Sequence, residues 1–262
     1  MLTVEEFAPI GARVYGLTVD RLMPVEVDQA RQLLARHGVL VISGKPEEPV
    51  DDHAFVRFLR SFGELMFTEG ETPVPGFADL NVVSNVGRAT PPRSVFHVDT
   101  SYVRRPPAYT ALRAHTVPAH GGATLFTNQY AAFDTLPDGL RTQLADCWVR
   151  HVVTGVDLPD GAESEAMHPL FRVHPVSRRT ALFLSTPQRC VAVTGLSADE
   201  SRETIDYLFE HSTRPDNVYR HRWREGDVVI WDNRAVMHRA DHSDVVGDRV
   251  MHRGMVADRD WG

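Results

Sequence analysis

The sequence predicts a mainly β protein with a few flanking helices, whose core is a jelly roll, or double-stranded β-helix. Three observations lead to this prediction. Apolar runs of strand length recur along the chain between short turns. Only a few segments carry apolar residues at helical spacing. No internal repeat, low-complexity segment or linker divides the chain, so we expect one domain over residues 1–262.

The composition is that of an ordinary globular protein, with 42% hydrophobic and 24% charged residues. The net charge of −7 argues against a broad nucleic-acid surface, which needs basic residues. No run approaches the ~20 apolar residues of a membrane helix, so we expect no membrane partner, and the first residues do not resemble a secretory leader. Cys147 and Cys190 show no disulfide or zinc spacing. These features together predict a cytoplasmic protein.

The first part of the chain contains two predicted helices. One runs from Val25 to His37, and Gly38 ends it because glycine tolerates the left-handed conformation common just past a helix. The apolar run from Val39 to Ile42 predicts a strand buried on both faces. The second helix is expected from Asp52 to Phe62, and residues 1–20 are expected to form short strands.

Residues 68–93 lose periodicity and contain many prolines and glycines, which predicts a long loop. This loop immediately precedes the segment around His97. Two interpretations are open: a lid over any site built there, or a surface loop without a role.

The rest of the chain is expected to contain mostly short strands. We predict them at residues 109–115, 123–127, 181–185, 227–231 and 249–256. A helix is expected over residues 137–148, and Ser197-Ala198-Asp199-Glu200 is a capping-box pattern that opens another. Residues 155–179 are expected to be loop-rich.

The segment Phe96-His97-Val98-Asp99-Thr100 carries the first candidate metal ligands. In an extended backbone, side chains two residues apart share a face, so His97 and Asp99 would aim at a common point. A third ligand would complete the two-histidine, one-carboxylate face that suits non-haem iron(II) with open positions. A surface strand or a simple His–Asp hydrogen bond is the alternative.

His238 is the best candidate for the third ligand. It follows the predicted strand that ends at Trp231, and the end of a strand that faces a cavity can place a ligand. The alternative for this position is a hydrogen-bonded core histidine.

Arg249 and Arg253 would share one face of the last strand, with Cα atoms ~13 Å apart. A buried charge needs a partner, and the planar fork of arginine suits carboxylates. From the residues alone, these arginines either form structural ion pairs with acidic residues or bind anions from outside.

Short sequence blocks with characteristic spacing run nearly from end to end of the chain. They are Gly11-Ala12, His37 to Gly44, Phe62-Gly63-Glu64-Leu65, Phe96-His97-Val98-Asp99, Gly121-Gly122-Ala123-Thr124-Leu125, His168-Pro169, His174-Pro175, Gly195-Leu196-Ser197, Trp231-Asp232-Asn233-Arg234 with His238, and Arg249 to Arg253. In these blocks the chain resembles the taurine dioxygenase group of Fe(II)- and 2-oxoglutarate-dependent oxygenases. That group also includes phenoxyacetate-herbicide dioxygenases and alkylsulfatases.

The resemblance implies a jelly-roll oxygenase with Fe(II), 2-oxoglutarate and O2 as cofactor and co-substrates. His97, Asp99 and His238 would be the catalytic iron ligands. Thr124 and Arg249 would bind the far carboxylate of 2-oxoglutarate. The implied reaction oxidises a C–H bond, with hydroxylation expected, and releases succinate and CO2. Retention of Asp99 favours oxygenation over halogenation, while desaturation and ring formation stay open.

The resemblance also bears on the substrate. Arg253 matches the arginine that holds the anionic group in relatives with acidic substrates, so a small anionic organic substrate is expected. Thr68 stands where a sulfonate-binding histidine would be, which argues against taurine itself and makes Thr68 a candidate substrate-binding residue. The segment 231–233 would support His238. Relatives are often dimers or tetramers, so a homo-oligomer is an open expectation.

Two other functions compete with this interpretation. A metal-dependent hydrolase could hold zinc on the same His97, Asp99 and His238, but it gives no reason for Thr124 and Arg249. An inert binding or structural sandwich is the third possibility, and the intact ligand set argues against it.

Overall fold

The computed structural model describes residues 2–44, 50–68, 70–87 and 94–259. The strands are β1 (Thr3–Glu6), β2 (Ala12–Tyr15), β3 (Val39–Ile42), β4 (Leu65–Met66), β5 (Pro73–Val74), β6 (Phe77–Ser84), β7 (Pro107–Thr116), β8 (Thr124–Thr127), β9 (Trp148–Val152), β10 (Glu165–Pro169), β11 (Phe171–Val173), β12 (Thr180–Leu182), β13 (Cys190–Val193), β14 (Val218–His221), β15 (Val228–Asp232), β16 (His238–Ala240) and β17 (Val250–Ala257). The helices are α1 (Pro24–His37), α2 (Asp52–Phe62), α3 (Gln129–Asp134), α4 (Asp138–Gln143) and α5 (Ala198–Thr213), with a 3-10 turn at Pro215–Asn217.

The largest sheet has the strand order β1-β2-β3-β15-β7-β17-β6-β5, and β4 pairs with β17 beside it. Its central strands are buried on both faces, as the all-apolar β3 shows. Leu40 and Ile42 of β3 face one core cluster, whereas Val39 and Val41 face another. This confirms the prediction for residues 39–42, because a strand covered on both sides has no need for alternating polarity.

Helices α1 and α2 cover one face of the large sheet. Leu34 of α1 and Phe55 and Leu59 of α2 are fully buried in the cluster that also contains Leu40. Helix α2 approaches β17 so closely that a Cβ on Gly254 would lie 2.2 Å from Leu59 Cδ1. Only glycine permits this approach, which fixes the helix layer against the sheet.

The three-stranded sheet β14-β8-β16 lies against the other face. Phe126 of β8 packs with Val41 of β3 and Trp231 of β15 in one buried cluster. Two sheets with a shared apolar core form the predicted jelly roll. The remaining sheets, β10-β9-β13 and β11-β12, pack with α5 around a third cluster.

Part of the loop predicted over residues 68–93 is wrong. Residues 77–84 form β6, an eight-residue strand that pairs with β17 from Leu80–Gly254 to Ser84–Val250. Of the prolines and glycines that suggested a loop, Pro75 and Gly76 form the tight connection between β5 and β6. Residues 69 and 88–93 of that prediction lie outside the described residues.

Two further element predictions are corrected. The helix expected over residues 137–148 ends at Gln143, and Trp148 begins β9, where it is 45% exposed. Leu140, Leu144 and Trp148 have helical spacing, but a strand begins where the third of them lies. Residues 155–179 contain β10 and β11. The predicted helices at 25–37, at 52–62 and after the Ser197 capping box are confirmed.

No helix among the described residues has both the length and the apolar character needed to cross a membrane.

Candidate metal centre and active site

An antiparallel bridge places His97 directly opposite His238. The His97 backbone N–H donates to the His238 carbonyl oxygen at 3.0 Å, and the His238 N–H donates back at 2.9 Å. His238 opens β16, which pairs with β8 in the small sheet. The two imidazoles are therefore held side by side by backbone geometry, with ring centroids 4.4 Å apart.

Asp99 follows in a turn and is only 3% exposed. Its Oδ1 lies 3.6 Å from His97 Nε2, and its Oδ2 lies 3.7 Å from His238 Nε2. One ligand atom from each of the three residues lies within 4.8 Å of the others. These separations are too long for hydrogen bonds and suit an ion held between the groups. The prediction that the His97 and Asp99 side chains meet is thus confirmed, although Asp99 is in a turn.

Hydrogen bonding and burial prepare the triad for a metal. His97 Nδ1 lies 2.8 Å from the Val95 carbonyl oxygen, so Nδ1 donates and the Nε2 lone pair is free. Burial lowers the pKa of His238 to about 3, which keeps its imidazole neutral. Burial opposes ionisation of Asp99, but the charge of the Arg253 guanidinium favours it, and the pKa of this carboxyl lies well below its usual range. The donor set therefore fits iron(II).

His97 and His238 of the triad line a cavity of about 420 Å³. Its walls come from the large sheet, the small sheet and two loops, at residues 70–72 and 154–156. Polar and charged side chains of this lining include His97, His238, Thr124, Arg249, Arg253 and Glu71. Residues 70–72 of the predicted loop thus line the cavity, and a lid role for them stays a prediction.

Arg249 is the most deeply buried charged group of this cavity, with 1% exposure. Its Nε donates to the Gly122 carbonyl oxygen at 2.9 Å, and its Nη2 donates to Thr124 Oγ1 at 3.3 Å. Thr124 Oγ1 also accepts a hydrogen bond from Trp223 Nε1 at 3.0 Å. Among the described residues, no acidic side chain forms an ion pair with Arg249. Burial without such a partner lowers the pKa of Arg249 to about 10.

Arg253 of β17 lines the same cavity as Arg249, which immediately precedes that strand. Its Nη1 lies 3.4 Å from Asp99 Oδ1, and its Nη2 lies 3.3 Å from Glu71 Oε1. Asn81 Oδ1 accepts a hydrogen bond from Nη2 at 3.5 Å. Arg253 therefore connects the metal ligand to a loop carboxylate that is 33% exposed.

Thr68 is buried near the triad but is not part of the cavity lining. Its Oγ1 lies 3.2 Å from the Thr100 hydroxyl, one residue beyond Asp99, and 3.7 Å from Met255 Sδ. A substrate contact for Thr68 stays a prediction.

Residues 231 and 232 of the segment 231–234 have different roles. The Trp231 ring packs against the His238 imidazole, with centroids 4.5 Å apart. Asp232 instead accepts two hydrogen bonds from the Arg234 guanidinium, at 2.8 and 2.7 Å, and one from His174 Nε2 at 2.9 Å. Trp231 thus provides the support for His238 that the resemblance implied, while Asp232 anchors a buried charge network.

Sequence reasoning missed Thr110 and Glu71. Thr110 Oγ1 donates to Asp99 Oδ2 at 2.9 Å. The sequence offers one clue to Thr110: it is a polar residue on the face of β7 that otherwise carries the apolar Leu112 and Ala114. Glu71 lies in a loop and carries no such signal, because only the fold brings it to Arg253.

Comparisons with known proteins agree with this geometry. The family model described as taurine catabolism dioxygenase TauD, TfdA family matches residues 3–255. The chain is 31% identical over 266 residues to an alpha-ketoglutarate-dependent 2,4-dichlorophenoxyacetate dioxygenase of Cupriavidus pinatubonensis, with 91% of each chain covered. It is 30% identical over 268 residues to an alpha-ketoglutarate-dependent sulfate ester dioxygenase of Pseudomonas putida, covering 95% of this chain and 86% of that one.

A solved structure extends the likeness to three dimensions. AAD-2 in complex with Mn(II) and N-oxalylglycine superposes with a TM-score of 0.84 at 27% identity, covering 99% of this chain and 98% of that chain. Both sequence relatives are alpha-ketoglutarate-dependent dioxygenases, which argues against the hydrolase alternative. The predicted fold and reaction class are confirmed. The chain therefore belongs to the taurine catabolism dioxygenase family, TauD, TfdA, and is an iron(II)- and 2-oxoglutarate-dependent dioxygenase that uses O2.

Proposed function

We propose that the chain oxidises a C–H bond of a small anionic organic molecule, with hydroxylation as the outcome. When bound, iron(II) with 2-oxoglutarate supplies the O2-dependent oxidation that releases succinate and CO2. The named relatives act on a phenoxyacetate and on sulfate esters, which are both anions. The cavity arginines of this chain support the same substrate charge.

The observation that carries the proposal is the buried guanidinium of Arg249. It shares a cavity with the His97, Asp99 and His238 triad, and its only described partners are neutral oxygens. A buried cation without a counter-ion is costly, so the site is built for an anion that arrives from outside. The far carboxylate of 2-oxoglutarate fits between Arg249 and the Thr124 hydroxyl in charge and in hydrogen-bonding capacity.

A backbone feature prepares this carboxylate site. Gly122 has φ +72, and a Cβ there would lie 2.8 Å from Pro118 Cγ and 3.1 Å from Arg249 Cδ. The glycine therefore lets the turn before β8 press against the arginine and turn its carbonyl towards Nε. This contact aims the guanidinium while leaving its charge uncompensated.

Arg253 is proposed to hold the anionic group of the substrate. Its present partners leave room for an exchange, because Asp99 is needed as a metal ligand and Glu71 is one-third exposed. Glu71 can move into water at low cost, and a substrate carboxylate, sulfonate or sulfate can take its place on Nη2. The alternative is that Glu71 and Arg253 form a permanent structural ion pair.

The rest of the cavity suits a hydrocarbon body. Val82, Val83 and Leu112 line it from the large sheet, and Val156 lines it from the loop next to Gly70. An apolar body with one charged end matches this distribution of side chains.

The test begins without oxygen. Apoprotein is mixed with Fe(II) and 2-oxoglutarate, and the weak visible charge-transfer band of iron(II) with a chelated keto acid is measured. Succinate release is then measured in air with 2,4-dichlorophenoxyacetate, an alkyl sulfate, alkylsulfonates and neutral analogues of each. The proposal predicts the band and faster succinate release with anions only. Succinate release that is stimulated equally by the neutral analogues would contradict the anionic substrate.

We also propose that residues 1–262 form one oxygenase domain that works in the cytoplasm without a nucleic-acid partner. The family match over residues 3–255 supports the first point. Two free cysteines, Cys147 and Cys190, and the net charge of −7 support the others.

A further inference from the structure

A line of three hydrogen bonds runs from the sheet to the metal carboxylate. Trp231 Nε1 lies 3.2 Å from Asn233 Oδ1, and Asn233 Nδ2 lies 2.8 Å from Thr110 Oγ1. Thr110 Oγ1 lies 2.9 Å from Asp99 Oδ2. All four side chains are 3% exposed or less. Arg253, proposed above to bind the substrate, contacts this line at its last member, Asp99.

The chemistry of the groups fixes the direction of every bond. The indole N–H of Trp231 can only donate, so the amide oxygen of Asn233 must face it and the NH₂ group must face Thr110. The Thr110 hydroxyl therefore accepts from Asn233, and its own proton is left for Asp99. The ionised carboxylate can only accept, so the arrangement is consistent from end to end.

The line is anchored in rigid structure at its starting end. Trp231 of β15 and Thr110 of β7 are direct cross-strand partners in the large sheet. The Asn233 backbone N–H donates to the Ala108 carbonyl oxygen at 2.9 Å. Thr110 is also β-branched, which restricts its χ1 angle and hence the position of its hydroxyl.

Asp99, in contrast, lies in a turn, and a carboxylate has a broad rotation about χ2. We propose that Thr110, aligned by Asn233 and Trp231, is a positioning residue that holds the Asp99 carboxylate in its metal-binding orientation. The hydroxyl fixes Oδ2 on one side, while Arg253 lies 3.4 Å from Oδ1 on the other. The metal then meets a ligand that is already oriented, instead of ordering it on binding.

Binding of Mn(II) to the full-length apoprotein tests this role without 2-oxoglutarate or substrate. Thr110→Val removes the hydroxyl and keeps the shape, and it should weaken Mn(II) binding about 10–100-fold, the usual effect of removing such a partner. Thr110→Ser restores a hydroxyl and should bind Mn(II) nearly as tightly as the wild type. Ser201→Ala, which removes a buried hydroxyl bonded to Val193 at 3.0 Å, is the matched control and should leave Mn(II) binding unchanged.

Asn233→Asp tests the direction of the bonds. The new side chain accepts at both oxygens, so the Thr110 proton turns towards it and away from Asp99. Mn(II) binding should weaken although the shape is conserved, and the visible spectrum of the Co(II) form should change as in Thr110→Val. Because this variant does not shorten Thr110, it keeps the proposal testable if Thr110→Val does not fold.

Two results would overturn the proposal. One is wild-type Mn(II) affinity in whichever of the Thr110→Val and Asn233→Asp variants fold. The other is equal weakening in Thr110→Ser and Thr110→Val, which would mean that packing volume and not the hydroxyl matters. Neither result would bear on the oxygenase assignment, because neither experiment measures turnover.

Discussion

Arg234 and Arg249 are both almost completely buried, at 3% and 1% exposure, yet their surroundings are opposite. Arg234 forms two hydrogen bonds with the Asp232 carboxylate and a second ion pair, at 3.5 Å, with Asp258. Burial would lower the pKa of Arg234, but Asp232 outweighs it and raises this pKa well above its usual value. Burial alone acts on Arg249 and lowers its pKa to about 10.

The presence or absence of an acidic partner distinguishes a structural arginine from a binding-site arginine. Removing one partner of a buried ion pair destabilises the fold, whereas a buried charge without an internal partner, such as Arg249, is available to an anion that binds from outside. The aspartates repeat the contrast. Asp232 has His174 at hydrogen-bond distance, while Asp99 is 3.6 and 3.7 Å from its two histidines and has space for an ion between them.

The largest expected effect is the loss of activity when a residue of the metal site is removed. Asp99→Ala removes a metal ligand and should abolish substrate-dependent succinate formation. The melting temperature of the apoprotein should change little, because Asp99 is not part of the apolar core and Arg253 keeps Glu71 as a partner. His238→Ala should behave in the same way. Full succinate formation in both variants would rule out the triad as the metal site.

On the structural side, Asp232→Asn would turn Arg234 into a buried arginine without a full counter-ion. The loss should be about 3–5 kcal/mol in the free energy of unfolding, as is typical when one partner of a buried ion pair is removed. Denaturant unfolding of the apoprotein measures it, with Asp199→Asn, in an exposed pair with Arg202, as the matched control. A loss as small as that of the control would mean that the Asp232 pair contributes little to stability.

The pH dependence of the wild type follows from the same pair. Burial opposes ionisation of Asp232, but Arg234 and His174 outweigh it and hold the pKa of this carboxyl well below its usual value. The stability it gives is present above the unfolded pKa of about 3.9 and is lost as the pH falls below that value. Asp232→Asn should therefore lose less stability than the wild type on acidification below about pH 4. Parallel curves for the two proteins would contradict this.

Arg253 is intermediate between the paired Arg234 and the unpaired Arg249, because a substrate anion can replace one of its acidic partners. Arg253→Ala should raise the KM for an anionic substrate and uncouple 2-oxoglutarate consumption from substrate oxidation, with 2-oxoglutarate affinity and melting temperature nearly unchanged. Steady-state kinetics with both products measured would show this. A markedly lower melting temperature with normal substrate binding would make the arginine structural.

The smallest expected effect is at Glu71. Glu71→Gln removes the carboxylate that an anionic substrate has to displace from Arg253, so the KM for that substrate should fall modestly while kcat changes little. Glu163→Gln, which removes an acidic partner of Arg104 outside the cavity, is the control. A raised KM in Glu71→Gln would mean that Glu71 contributes to substrate binding instead of competing with it.

The sequence could predict much of the site because its residues lie in short local patterns. His97 and Asp99 are two residues apart, and Arg249 and Arg253 are four apart, so the sequence predicted that each pair meets, and each pair does lie at one site. The fold class followed in the same way from apolar runs such as Val39–Ile42.

The rest depends on contacts between distant segments. The His97–His238 bridge and the Glu71–Arg253 pair join segments that are far apart in the sequence. The Thr110–Asp99 hydrogen bond joins a strand to a turn. Strand β6 was missed because the buried Asn81 interrupts its apolar pattern. The position of Asn81 is explained only by the fold, in which Asn81 pairs with Arg253 of β17.

The most direct test of the central claim is the affinity for 2-oxoglutarate in Arg249→Gln. Binding to the Mn(II)-loaded protein is measured without oxygen, next to the Mn(II) affinity itself. Loss of the charged partner should cost roughly 2–5 kcal/mol of 2-oxoglutarate binding. Mn(II) affinity should stay near that of the wild type, and the apoprotein should be at least as stable, because a buried uncompensated charge has been removed. Unchanged 2-oxoglutarate affinity, or a large loss of apoprotein stability, would show that Arg249 is as structural as Arg234.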